Sequence, residues 1–190
     1  MKRLFIATDI ELSDKFRALT LQLQHDLRND DIVWVKSHVQ HLTLRFLGQT
    51  PHTKIEPIAQ ILSEVTNTAA FDLHLDKMGV FGSKYAPEVL WYGFTDFSLF
   101  KNLFNNLEKQ LMDSGFQKNY GNFVPHVTVG RIKKLDHKKR FWETIEKRQP
   151  NFSQPIPVRQ LKLIQSKLTN EGPVYKTLYN FEFFYSSVCN

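Results

Sequence analysis

Cysteine is almost missing from this 190-residue sequence. The single Cys189 leaves no pair for an intramolecular disulfide, which excludes a disulfide-stapled scaffold and points to a reducing compartment. Its place beside the C-terminus makes it a poor nucleophile, because chain ends fray. Long apolar runs are missing too. No stretch approaches the ~18 apolar residues of a membrane span. The opening "MKRLFIATDIELSD" is interrupted at Thr8 and Asp9, too early for a signal peptide. The expectation is a soluble cytoplasmic protein with no membrane partner. There is no Cys-x-x-Cys pair, no His-Glu-x-x-His and no acidic cluster with metal spacing, so neither metal nor other cofactor is expected. The Gly-x-Ser-x-Gly elbow of serine hydrolases is absent, and so is the glycine-rich loop that cradles nucleoside triphosphates. The nearest glycine-rich piece, "GVFGS" at residues 79–83, reads as a turn. Solenoid periods and low-complexity segments are lacking.

What is present suits a folded chain. The length fits one domain, or two small lobes sharing a core. With 42% hydrophobic and 23% charged residues, nothing suggests disorder. Lysine plus arginine number 25 against 19 acids, a net charge of +6 that favours anionic partners, nucleic acid among them. The clearest basic cluster, "GRIKKLDHKKR" at residues 130–140, reads on its own as a solvated loop and helix start.

Periodicity lays out the elements. "RLFIATD" is a first strand. Ser13 or Asp14 caps a helix whose Phe16, Leu19, Leu23 and Leu27 fall at helical spacing. "DIVWVK" and "HLTLRFLG" are strands. Thr50 is placed to cap the next helix, with Pro51 in its first turn and Ile55, Ile58, Leu62 and Val65 as its buried stripe. "FDLHLDKM" alternates strictly, as a half-solvated strand does, and "EVLWYGFT" follows. A helix over "SLFKNLFNNLEKQLMDSG" lines up Leu99, Leu103, Leu107 and Leu111 and stops near Gly115. "VPHVTVGR" is a strand, "HKKRFWETIEKR" a helix, and "QPNFSQPIPV" a connector to two last strands, "VRQLKLIQS" and "VYKTLYNFEFF". Each half of the chain holds an amphipathic helix, a polar loop and a strand opening with His-x-Thr. This arrangement suggests two related lobes facing each other.

The two His-x-Thr strands carry the chemistry. Strand side chains alternate between faces. In "HLTLRF", Leu42, Leu44 and Phe46 therefore face inward while His41, Thr43 and Arg45 face the other way. In "HVTVG", Val127 and Val129 face inward and His126 and Thr128 point together. Side by side, such strands aim two imidazoles and two hydroxyls into one cleft. Imidazole, with an ordinary pKa of ~6.5, gives or takes a proton near neutrality. A neutral ring can deprotonate water and a charged one can protonate a departing oxygen, each worth ~10²–10⁴ in rate. Threonine hydroxyls and an arginine can hold the other oxygens of an anion whose charge rearranges. Displacement at a phosphodiester needs these parts and no metal. A lone histidine on a polar face has an ordinary solvated role, which is the reading for His25, His52, His74, His137 and the loop residue His38.

With these residues in view, the sequence resembles the 2H phosphoesterase superfamily, and within it the bacterial RNA 2′,3′-cyclic phosphodiesterase (2′-5′ RNA ligase) family. The resemblance runs through "FIATDI", "VWVKSHVQHLTLRFLGQT", "GVFGSKYAPEVLWYGF", "FVPHVTVGR" and "SKLTNEGPVYKTL", nearly the whole chain. It implies a bilobal α+β fold occupying residues 1–190 as one domain. Two antiparallel sheets would be related by a pseudo-twofold axis around a central cleft, with helices outside. It implies action on RNA ends with a 2′,3′-cyclic phosphate, or on small cyclic nucleotides, leaving a 2′-phosphate; a monomer is expected. His41 matches the family's proton donor to the leaving 3′ oxygen and His126 its proton acceptor from water. Thr43 and Thr128 match its phosphate-binding threonines, and Arg131 the arginine after the second motif.

Several points stay open at this level. Strict alternation puts Arg131 opposite His126 unless Gly130 relaxes the strand, and Arg45 is a rival phosphate ligand on the correct face. Tyr175, Trp34, Phe46, Phe81 and Trp91 could stack on a base, although core is the ordinary place for an aromatic. The same histidine pair would also serve a 2′-5′ RNA ligase or a 2′-5′ oligonucleotide phosphodiesterase. A non-catalytic module gripping RNA ends is the remaining alternative.

Overall fold

Strands rich in β-branched and aromatic residues alternate with helices apolar on one side, and the chain sorts them into layers. The structure, a computed structural model, describes residues 1–119, 121–169 and 172–184. Cys189 lies outside the described residues. In chain order the elements are β1 (Lys2–Asp9), α1 (Asp14–Asp26), β2 (Asp31–Trp34), β3 (His41–Thr50), α2 (Ile55–Val65), β4 (Phe71–Gly82), β5 (Pro87–Phe94), α3 (Ser98–Asp113), β6 (His126–Lys134), α4 (Lys138–Lys147), β7 (Gln154–Val158), β8 (Gln160–Thr169) and β9 (Gly172–Glu182).

These make an α+β fold of two antiparallel sheets. The first has the order β3-β1-β8-β9 and the second β2-β6-β5-β4-β7. Each sheet draws strands from both halves of the chain. One continuous core joins them: Leu4, Ile6, Leu42 and Leu163 of the first sheet pack in the same cluster as Leu75, Tyr92 and Val127 of the second. Phe16 and Leu23 of α1, Ile58 and Leu62 of α2, Phe100 and Leu107 of α3, and Phe141 of α4 complete it. On the other face of the first sheet Phe5, Ala7 and Ile164 form a separate small cluster with Tyr175 against it. β1 is therefore apolar on both faces, and its second face lies against His41.

Four expectations need correction. "GVFGS" is not a turn through its length: β4 continues to Gly82, and the hairpin turns between Ser83 and Ala86, which exchange backbone bonds of 3.1 Å. Only Gly82 has turn backbone, at φ +103°, where a Cβ would lie 2.4 Å from the Ala86 carbonyl oxygen. The connector "QPNFSQPIPV" contains β7. Its Pro155 and Pro157 are tolerated because β7 is an edge strand, bonded only to β4. Thr50 ends β3 and donates its hydroxyl to the Gly48 carbonyl at 3.2 Å instead of capping a helix. Pro51 precedes a short 3-10 turn, His52–Lys54, and α2 begins only after it. On α3, Leu99 is 53% exposed and the buried stripe runs through Phe100, Leu103, Phe104, Leu107 and Leu111. Phe123 turns the helix this way by stacking on Phe104 at 4.0 Å between ring centres.

Candidate active site

β3 lies at an edge of the first sheet and β6 inside the second, and the two strands approach each other. His41 is the first residue of β3 and His126 the first of β6. Both rings are held in the same way. His41 Nδ1 donates to the Val39 carbonyl at 2.9 Å, and His126 Nδ1 to the Val124 carbonyl at 2.9 Å. A carbonyl only accepts, so each Nδ1 carries the hydrogen and Nε2 is left for chemistry.

Aromatic rings wall each imidazole. Phe5 lies 4.9 Å from His41 and Tyr175 meets it edge-on at 5.2 Å. Phe81 meets His126 edge-on at 4.7 Å, with Trp91 at 6.3 Å. Burial among these rings pushes both histidines below their ordinary pKa of 6.5. The bonds to Val39 and Val124 oppose that shift. The positive charge of Arg131 adds to it at both rings, and His41 adds to it at His126. Asp9, paired across from His41, pulls the other way. The two imidazoles and the Arg131 guanidinium are thus within electrostatic reach of one another.

Thr43 and Thr128 follow their histidines by two residues and are half-buried on the same faces. Beyond them both strands break alternation. On β6, Thr128 pairs with Trp91 but Gly130 pairs with Leu90, so Val129 is a bulge. Val129 and Gly130 are both buried, and Arg131 emerges exposed, returned to the cleft side. Gly130 is required there, since a Cβ would stand 2.8 Å from Ile32. On β3, Thr43 pairs with Ala7 but Arg45 pairs with Ile6, so Leu44 is bulged. The bulge reverses both following residues. Phe46, expected inward, is 59% exposed and lies 5.8 Å from Phe5 on the cleft face. Arg45 turns away towards α3. There its Nε sits 2.5 Å from Glu108, as an ion pair outside hydrogen-bond geometry, and its guanidinium donates to the carbonyls of Phe46 and Gln117. Arg45 is therefore committed elsewhere, and Arg131 is the cation beside the histidines.

Of the aromatic candidates, Tyr175, Phe81 and Trp91 touch the histidines and Phe46 borders the site, while Trp34 packs on the core beside Gly130. Phe5 was missed by sequence reasoning. Its signal was the run "LFIA", apolar on both faces of β1 where the flanking strands alternate. Among the described residues no three His, Cys, Asp or Glu side chains gather as a metal site. No helix of the described residues is long and apolar enough to cross a membrane.

Two imidazoles and a guanidinium within electrostatic reach of one another, each ring followed on its strand face by a threonine, can bind a small anion and pass protons across it. Comparison with known proteins points the same way. A Thermotoga maritima protein named RNA 2′,3′-cyclic phosphodiesterase is 32% identical over 182 residues, 95% of each chain. A Methanocaldococcus jannaschii protein of the same name is 30% identical over 176 residues, 93% of this chain and 98% of its own. The fold matches the crystal structure of TT0787 from Thermus thermophilus, with a TM-score of 0.77 at 24% identity over 97% and 99% of the two chains. It also matches E. coli LigT complexed with 3′-AMP, with a TM-score of 0.75 at 24% identity over 96% and 98%. The sequence fits the LigT-like phosphoesterase family over residues 9–91 and 98–175. The chain belongs to that family.

Proposed function

We propose that this phosphoesterase is an RNA 2′,3′-cyclic phosphodiesterase that opens a terminal cyclic phosphate to a 2′-phosphate without a metal ion. The observation that carries the proposal is the matched mounting of His41 and His126, each with Nδ1 on a backbone carbonyl and Nε2 free, within reach of a shared arginine.

The reaction assigns one role to each ring. Neutral His126 takes a proton from water at Nε2 as the water oxygen bonds to phosphorus. The bond from phosphorus to the 3′ oxygen breaks on the far side, and protonated His41 gives its proton to that oxygen. The products are a 2′-phosphate and a free 3′ hydroxyl, with the proton now on His126, and exchange with solvent resets the pair. The hydroxyls of Thr43 and Thr128 donate to the non-bridging oxygens, and Arg131 balances their growing charge. The bound anion itself favours an imidazolium, which supplies the proton that burial withholds in the free protein.

The test is hydrolysis of a 2′,3′-cyclic mononucleotide in the presence of a chelator, with the product identified. A 2′-phosphate is expected. His41→Ala and His126→Ala should each lower kcat by roughly 10²–10⁴ while remaining folded. Wild-type turnover in either variant rules the mechanism out. The same pair would act on a 2′-5′ linkage, so 2′-5′ dinucleotides and cleaved tRNA halves belong in the same assay as competing substrates.

A further inference from the structure

The cleft face of the first sheet continues beyond the histidines. On β1, Arg3 shares that face with Phe5 and Ala7, while Leu4 and Ile6 turn to the main core. Phe5 is the centre of an aromatic patch. Its ring lies 4.9 Å from His41, 5.2 Å from Tyr175 and 5.8 Å from Phe46. Arg3 stands two residues along the strand from Phe5, about 7 Å further from the strand end that faces His41. It is exposed, and none of the ion pairs among the described residues uses it. Lys162, across from Ala7 on the same face, is instead paired with Asp9. Burial raises the pKa of the Tyr175 hydroxyl, and the charges of Arg131 and Arg3 both oppose that rise. Arg3 therefore stands beside the Tyr175 end of the patch.

The order along this face is histidine pair, an aromatic patch whose outer rings are exposed Phe46 and half-buried Tyr175 over buried Phe5, then a cation. An RNA end has a matching order: terminal phosphate, nucleoside, next phosphate. Single-stranded RNA is held by stacking on aromatic faces and by cations along its backbone. We propose that Arg3 binds the phosphodiester one nucleotide upstream of the terminal cyclic phosphate, so that the site prefers an oligonucleotide end to a cyclic mononucleotide. The inference rests on the phosphodiesterase reading above and specifies its substrate. The terminal nucleoside lies over Phe46 and Tyr175, which Phe5 supports from beneath, and the chain leaves past Arg3.

The experiment compares kcat/KM for a 2′,3′-cyclic mononucleotide and for an RNA trinucleotide with the same cyclic end, across a series of salt concentrations. Wild type, Arg3→Ala and Arg3→Lys are measured. Arg3→Ala should cut the trinucleotide value roughly tenfold, the worth of one charge-assisted contact, and leave the mononucleotide value as in wild type. The dependence of log kcat/KM on log salt for the trinucleotide should flatten by about 0.7, the share of one phosphate on a single strand. Arg3→Lys should restore most of both. Equal losses on the two substrates, or an unchanged salt slope, overturn the role of Arg3. Should wild type open neither substrate, the phosphodiesterase reading itself fails and takes this inference with it.

Discussion

A Cβ added to Gly79 would stand 2.2 Å from the six-membered ring of Trp91, its partner across β4 and β5. One added to Gly93, two residues further along β5, would stand 2.6 Å from the same indole. The ring therefore lies flat across two glycines, and Gly93 is in turn the partner of His126 on β6. Trp91 and Phe81, 5.0 Å apart, form the wall on which the His126 imidazole rests. Gly79→Ala must push the indole off its seat. Unfolding in urea should show a loss of roughly 1–3 kcal/mol, the usual cost of overpacking. kcat/KM should fall together with stability, because the displaced wall no longer fixes His126. An alanine variant with wild-type activity would mean that Trp91 only fills space.

The two His-x-Thr strands and the faces of their first residues were legible in the sequence because alternation is local. Leu42 and Val127 are fully buried and the intervening threonines are not. Residues beyond the threonines were not legible, because a bulge is a property of two strands. Leu44 and Val129 have no partner across the ladder only by virtue of what β1 and β5 present. Those two extra residues reversed Phe46, Arg45 and Arg131 together, and so set Arg131 rather than Arg45 beside the histidines. The prolines of β7 misled for a related reason: what a proline forbids depends on whether the strand has one neighbour or two. The place of Leu99 was lost to Phe100, since helical spacing fits either residue and the choice falls to packing from elsewhere, here Phe123 and Phe71 against Phe100.

Glu108 holds Arg45 on the side to which the β3 bulge has turned it. The two side chains are 11% and 14% exposed, and Glu108 also accepts a bond from the Asn119 backbone at 2.9 Å. Glu108→Ala leaves a nearly buried guanidinium without its counter-charge. Breaking such a pair costs roughly 3 kcal/mol, which chemical denaturation will register. Arg45→Ala should destabilise similarly, and the double variant should recover part of the loss, because no lone charge remains buried. In Arg45→Ala the KM for a cyclic mononucleotide should stay near the wild-type value at temperatures where the variant is folded. A tenfold rise in KM would return Arg45 to the candidate phosphate ligands.

The titration of the two imidazoles links the site to pH. Burial is the largest cause of the lowered pKa at both His41 and His126. In the free protein both rings should therefore titrate below 6.5 when followed by NMR. Added inorganic phosphate should move both midpoints upward, since an anion between the rings favours their charged forms. His41→Ala should raise the midpoint of His126, because it removes a like charge from its neighbourhood. The sign for stability follows from the same shifts. A histidine whose pKa is lower folded than unfolded is protonated first in the unfolded chain. Its contribution is complete above pH 6.5 and is lost as pH falls through the folded midpoint. Wild type should thus lose stability below pH 6.5 faster than the variant lacking both histidines. Parallel pH dependence in the two proteins would mean that the imidazoles are not desolvated, and with that the electrostatic account of the pair would not stand.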